Sequence, residues 1–389
     1  MARMGGIAMV AYTHYPWDPR VRREAETLAR RGHAVTVVCA RDAGEPAEES
    51  VNGVRVVRVP LAIRRGGPLR YLYQYATFFL MAVASLGRLR PAAVHVHSVP
   101  DFLAFVAIGP KLRGAPLTLD LHEALPEMVL ARFPRSIVAV RLALAAERLS
   151  CGLADRVIVV NETIRDLVAS RGVPRSRVVV LYNSPDVSTA SGEPAESPLM
   201  DPGLRLVYAG AIDRERDVDT LVRAIAELRP SMPTVLVLYG RGEATYLSYL
   251  QGLVDGLGLG GSVRFGGVLP SDRVLAHLSH SEVGVVTYAR NPITEVALPN
   301  KIFEYVVLDK PLVLPDLRAM RRAFADAAWF YEPGNAKDLA AKIRLAASGG
   351  AESTDRRGRA RKVFEDARWE VQGERLAAMY APIAHPARA

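Results

Sequence analysis

The chain has 389 residues, 50% of them hydrophobic and 23% charged, with two cysteines. That length suits two folding units, and the composition excludes both a disordered chain and a disulfide-stapled mini-fold. The net charge of +9 is uneven: residues 1–185 hold 25 Lys or Arg against 15 Asp or Glu, whereas residues 186–389 hold 25 against 26. A basic first half suits an anionic partner such as a phosphorylated substrate or a lipid head group, and no nucleic-acid-binding module accompanies it.

The first ten residues carry one Arg and too short an apolar stretch for a secretory signal, and neither Cys39 nor Cys151 has a CxxC partner, so a reducing cytoplasm is expected. An apolar run at 7–11 predicts a strand, followed by a turn-rich loop and a helix at 21–31 that ends at Gly32. Further strands are expected at 35–39, 54–59, 93–97, 117–121, 157–160 and 178–181. Helices are expected at 69–88, 102–112, 137–152 and 163–171. Residues 71–87 carry no charge but include Gln74, Thr77 and Ser85, and are too short to span a bilayer. With arginines on both flanks they suit either a buried helix or one lying in a bilayer interface, so peripheral contact with an anionic inner membrane face is one expectation.

After a Ser-, Pro-, Glu- and Ala-rich stretch, assigned as a linker at 186–203, the alternation restarts. Strands are expected at 204–208, 235–239, 263–265, 283–287 and 311–314, with helices at 217–228, 245–257, 271–278 and 301–308. The predicted organisation is therefore α/β, with two doubly wound Rossmann-like domains at 1–185 and 204–366 facing a cleft. A helix within 367–389 is expected to return to the first domain. Ligands of such sheets bind at the carboxyl ends of the strands, which directs attention to the loops there.

In Leu298-Pro299-Asn300-Lys301-Ile302-Phe303-Glu304-Tyr305 a proline opens a helix with a cation in its first turn and a carboxylate three residues on. A helix start of this kind favours a phosphate, and the carboxylate suits sugar hydroxyls. This stretch, Tyr15-Pro-Trp-Asp-Pro-Arg-Val-Arg-Arg-Glu-Ala, Val207-Tyr-Ala-Gly-Ala-Ile-Asp-Arg-Glu-Arg-Asp and Gly240-Arg-Gly, in their order, resemble family 4 of the retaining glycosyltransferases of GT-B fold. The resemblance runs through nearly the whole chain.

It implies transfer of a sugar, with retention and without a metal ion, from a nucleoside diphosphate sugar held mainly by the second domain to a hydroxyl of an acceptor held mainly by the first. A UDP-sugar is expected as co-substrate, with a GDP-sugar as the alternative, and the acceptor is a lipid-linked or envelope glycan or a small aglycone. For the donor diphosphate the resemblance implies Arg214, Arg216, Lys301 and Asn300. For the donor sugar and ribose it implies Glu295, Leu298, Pro299 and Glu304, and for the nucleoside Gly240, Arg241, Val268 and Leu269. His122 and Asp18 are the catalytic candidates, and Arg20, His97 and Asp101 the acceptor contacts. Two departures stand out: Val296 occupies the place of the family's first glutamate, with Glu295 one residue off register, and Ala211 replaces an arginine expected at the diphosphate. No GxGxxG follows the first strand, which argues against a dinucleotide oxidoreductase. An epimerase on the same fold and an inactive sugar-nucleotide-binding relative are the alternatives.

Overall fold

The computed structural model describes residues 5–64, 66–185 and 203–383 and divides into two units, Met1–Asn183 with Glu370–Ala389, and Ser184–Trp369. Apart from Gly203, the expected linker lies outside the described residues.

The first unit opens with β1 (Gly5–Val10), α1 (Pro19–Arg30), β2 (Val35–Ala40), β3 (Glu48–Val51), β4 (Val54–Val59) and α2 (Pro68–Leu89). It continues through β5 (Pro91–His97), α3 (Ile108–Leu112), β6 (Leu117–Leu121), α4 (Leu125–Arg132), α5 (Ile137–Leu153), β7 (Arg156–Val159), α6 (Glu162–Ser170) and β8 (Val178–Val180). The sheet order is β3-β4-β2-β1-β5-β6-β7-β8. The central strands are Val- and Leu-rich runs buried on both faces, as a parallel sheet covered by helices requires. α1 starts where Asp18 accepts from the Arg20 and Val21 amides at 3.1 and 3.2 Å, with Pro19 preset for the first helical position.

Three details differ from the sequence reading. The sheet is not wholly parallel, because β3 runs antiparallel to β4 through a tight turn at Asn52 and Gly53, both with positive φ. A single helix over 102–112 is instead a 3₁₀ segment, Asp101–Ala107, running into α3. The reading also lacks α4.

The second unit comprises β9 (Leu204–Ala209), α7 (Val218–Leu228), β10 (Thr234–Tyr239), α8 (Ala244–Gly256), β11 (Val263–Gly267), α9 (Val274–Leu278) and β12 (Gly284–Val285). After these come α10 (Asn300–Val307), β13 (Leu312–Pro315), α11 (Arg318–Phe324), β14 (Trp329–Tyr331), α12 (Ala336–Ala347) and α13 (Gly350–Ala367). Two parallel three-stranded sheets, β11-β10-β9 and β12-β13-β14, meet at β9 and β12. There Glu282 N donates to Arg205 O at 2.9 Å, and the buried Tyr305 hydroxyl donates to Val207 O at 2.6 Å. The last helix, α14 (Trp369–Tyr380), packs in the first unit, where Gln372 Oε1 accepts from Tyr182 N at 3.1 Å and the Tyr380 hydroxyl lies 2.9 Å from His95 Nδ1.

Candidate active site

In the first unit the chemistry gathers at the carboxyl ends of β5 and β6, whose register pairs His97 with Asp120. Alternation along β5 turns His95 and His97 to one face of the sheet, toward Arg20 and Glu24, which are one turn apart on α1. Arg20 grips Asp120 with both prongs, Nε to Oδ2 at 2.7 Å and Nη2 to Oδ1 at 2.8 Å, and its Nε lies 3.1 Å from Glu24 Oε1. His97 Nδ1 lies 3.2 Å from Asp120 Oδ2 and 3.0 Å from His122 Nε2, which is itself 3.2 Å from Asp120 Oδ2.

Burial alone would raise the Asp120 carboxyl, but Arg20 and the neighbouring imidazoles outweigh it and hold that group well below the usual range. Glu24, buried and facing the Asp120 charge, is pushed well above its usual range, and burial lowers both His95 and His97. Glu24, His95, His97 and Asp120 have the donors and spacing of a metal cluster, but the Arg20 guanidinium lies between the two carboxylates as their cation.

His122 and Asp18 both line a cavity of about 680 Å³, together with His97, Tyr12, Tyr75 and Met128. Two expected acceptor contacts do not reach it. Arg20 is buried in the ion pair just described, and Asp101 is fully buried, its carboxyl pushed up to about 7 by desolvation and by the nearby Glu147.

In the second unit Lys301 lies in the first turn of α10, a helix that no side chain caps. Its Nζ is buried 4.1 Å from the centroid of the Tyr208 ring with no hydrogen-bond partner. Burial, aided by the charge of Arg216, lowers the amine to about 7. The backbone is shaped to admit this side chain: a Cβ on Gly210, at φ +154°, would lie 2.7 Å from Nζ, and one on Gly240 would strike Gly210 O at 1.7 Å. Gly240 is thus required by packing between two loops. Glu304 is not salt-bridged to Lys301, so the two are not an ordinary solvated pair, and burial raises its carboxyl.

The two arginines of the β9–α7 loop separate. Asp213 Oδ1 accepts from Arg216 N at 2.8 Å, and the Arg216 guanidinium lies 4.5 Å from the Tyr288 ring centroid, near enough to Lys301 to depress its amine. Arg214 is exposed and stacks instead on Tyr246 and Tyr249 of α8, at 5.3 and 5.6 Å, so it does not join the Lys301 group. Asn300, Leu298 and Pro299 lead into α10 at intermediate exposure or as its cap, and Arg241 and Val268 are exposed at strand ends with Leu269 half-buried between Val268 and Pro270.

Glu295, beside the buried Val296, is engaged within its own loop. Its Oε1 pairs with Arg290 at 2.5 Å and its Oε2 accepts from Arg318 N, at the start of α11, at 2.8 Å. Glu295→Ala is therefore expected to lower stability by about 0.5–2 kcal/mol, the range for a lost helix cap, and to leave nucleotide affinity unchanged in a parallel titration.

The residues absent from the sequence reading are Glu24, His95, Asp120, Tyr208 and Tyr288. His95 and Asp120 are signalled by the alternate His95-x-His97 on one strand and Asp120-x-His122 on the next, whereas Glu24 on α1 and the two tyrosines are not distinguishable from ordinary helix and core residues.

Residues 18–184 match the model of the glycosyl transferase 4-like domain, and residues 203–348 match that of glycosyl transferases group 1. A GDP-mannose:cellobiosyl-diphosphopolyprenol alpha-mannosyltransferase of Xanthomonas oryzae pv. oryzae (strain PXO99A) is 27% identical over 180 residues, 46% of this chain, and the match spans about half of that relative's length, 45%. Sucrose-phosphate synthase from Thermosynechococcus elongatus superposes with a TM-score of 0.76 at 18% identity, covering 97% of this chain and 98% of the other. Anabaena Alr3699/HepE in complex with UDP gives 0.70 at 15% identity, covering 97% and 100%. Two Rossmann-like α/β units, each matched by its own glycosyltransferase domain, make this chain a glycosyltransferase of family 4 with the GT-B fold.

Proposed function

We propose that the protein transfers a sugar, with retention and without a metal ion, from a nucleoside diphosphate sugar bound by the second unit to a hydroxyl of a lipid-linked acceptor bound by the first. The observation that carries this reading is the enclosed Lys301 amine, partnerless in the protein and flanked by Arg216 and an uncapped helix start. Amide N–H groups, a guanidinium and an ammonium fixed around one point stabilise the charge that develops as a diphosphate departs. In the transfer, the bond from the anomeric carbon to the diphosphate oxygen breaks and the acceptor oxygen bonds to that carbon on the same face. The acceptor proton passes to the departing phosphate, so no protein nucleophile is required. Glu304 receives the ribose hydroxyls.

His122 orients hydroxyls beside the reacting carbon, and Asp18 lines the same cavity. The lipid-linked acceptor is supported by the Xanthomonas relative, whose name gives a diphosphopolyprenol acceptor and GDP-mannose as donor. The UDP complex of the Anabaena protein supports the uridine alternative.

The test is a thermal-shift titration with UDP, GDP, ADP and dTDP and their sugar conjugates, in the presence of EDTA. One nucleoside diphosphate is expected to raise Tm in a dose-dependent way. Glu304→Ala is expected to weaken that ligand about 10- to 100-fold, the range for a lost hydrogen bond to a charged group. NMR of the glycoside product reads retention directly. A folded protein that responds to no nucleotide at saturation would overturn the proposal.

A further inference from the structure

α2 is apolar on both of its faces. Gln74, Phe78, Ala82 and Leu86 point inward and are buried. The opposite face carries Leu72, Tyr73, Leu80 and Val83, exposed, with Leu80 at 68%. A helix on the surface of a soluble domain ordinarily turns a polar face outward. α5 repeats the pattern with Ile137, Val138, Leu142 and Leu149 exposed, Leu142 at 66%, alongside exposed Arg141 and Arg148. Both helices pack on the 3₁₀ segment Asp101–Ala107, and α2 also packs on α3, whose Leu112 is exposed as well. The three exposed apolar faces therefore belong to helices that share one packing segment.

Cations surround it. Residues 60–150 contain eleven Lys or Arg, and Arg88, Arg90, Arg113, Arg141 and Arg148 are exposed. Of the five carboxylates in the same stretch, Asp101, Asp120 and Glu147 are buried and Glu127 pairs with Arg171. Among the described residues no helix is long and apolar enough to cross a membrane.

We propose that the outer faces of α2, α3 and α5 seat the protein on an anionic lipid bilayer, with the apolar side chains in the head-group boundary and the arginines on lipid phosphates. Charge separates this occupant from a second copy of the chain, because a self-complementary contact through this face would set arginines against arginines.

The test is co-sedimentation of the full chain with vesicles of phosphatidylcholine alone and of phosphatidylcholine containing about one-third phosphatidylglycerol. The wild type is expected to bind the anionic vesicles about tenfold more tightly, with the difference shrinking at high salt. Leu80→Glu with Leu142→Glu, and separately Arg141→Glu with Arg148→Glu, are each expected to lower that binding about tenfold or more. All four positions are exposed, so both variants are expected to keep the wild-type melting temperature. Their nucleotide-induced thermal shift stays as in the wild type, which separates failure of this inference from failure of the donor reading. Equal binding to the two vesicle types, or wild-type binding by the double leucine variant, would sink it. So would a dimer in light scattering that the leucine variant dissolves while neither form sediments with vesicles.

Discussion

Lys301→Met is expected to make the free protein more stable while removing donor binding, two effects of opposite sign from one side chain. The amine titrates at about 7 in the folded protein against an ordinary 10.5, because burial and Arg216 disfavour its charged form. With a depressed folded value, the contribution of Lys301 to stability is fully present above the unfolded pKa near 10.5 and is lost as pH falls through about 7. Wild-type stability therefore climbs between those limits on account of this residue, and Lys301→Met removes that part of the slope. Relieving a buried donor without a partner is worth about 1–3 kcal/mol at neutral pH.

On the proposed reading the same amine receives the donor diphosphate. A bound diphosphate restores the charge, so binding takes up a proton and affinity falls as pH rises above about 7, approaching tenfold per pH unit. Loss of Lys301 is expected to lower kcat/KM by about 100- to 1,000-fold, the effect of one electrostatic donor at a developing charge. Calorimetric melts at several pH values, with and without the preferred nucleoside diphosphate, separate the two effects. A variant that is destabilised yet binds nucleotide as the wild type does would remove Lys301 from the site.

What the sequence disclosed about this region follows from its physics. The place of Lys301 in the first turn of α10 is legible because Pro299 marks a helix start locally. The surroundings of Glu295 are not legible because chain spacing gives no side-chain direction, and only the folded loop shows its carboxylate turned to Arg290 and to the first amide of α11. Arg214 and Arg216 are two residues apart, and the turn that Asp213 opens and Arg216 closes sends one to Tyr246 and the other to Tyr288.

Strands rich in Val and Leu were legible as short buried runs, whereas Glu-Glu-Ser-Val in β3 has no such signature, although Asn52-Gly53 advertises the hairpin that forms it. α13, nearly polar all round, carries little helical periodicity. The Arg20–Asp120 pair was out of reach, since it depends on a strand register and a helix placement set by residues a hundred positions apart.

That pair carries the second large effect. Asp120 is the buried counter-ion of Arg20, and Glu24, kept above its usual range largely by burial and by the Asp120 charge, stands 3.1 Å from the same guanidinium. Asp120→Asn removes the anion and also removes one reason for Glu24 to stay neutral, so Glu24 ionises and takes over part of the pairing. Asp120→Asn with Glu24→Gln leaves Arg20 buried with no anion, and a buried charge stripped of its partner costs about 3–5 kcal/mol. The double variant is therefore expected to lose more than the sum of the two single variants, a coupling that a double-mutant cycle by urea denaturation measures. A fourth variant adding Arg20→Met to the double removes the stranded charge and is expected to recover most of the loss, as apolar replacement of buried ion pairs does elsewhere. Strict additivity of the two single substitutions would show that Glu24 does not share the guanidinium. The second unit reports independently: because Lys301 and Arg216 belong to a separate folding unit, nucleotide binding is expected to persist in all four variants, and its loss would show that the units do not bind independently.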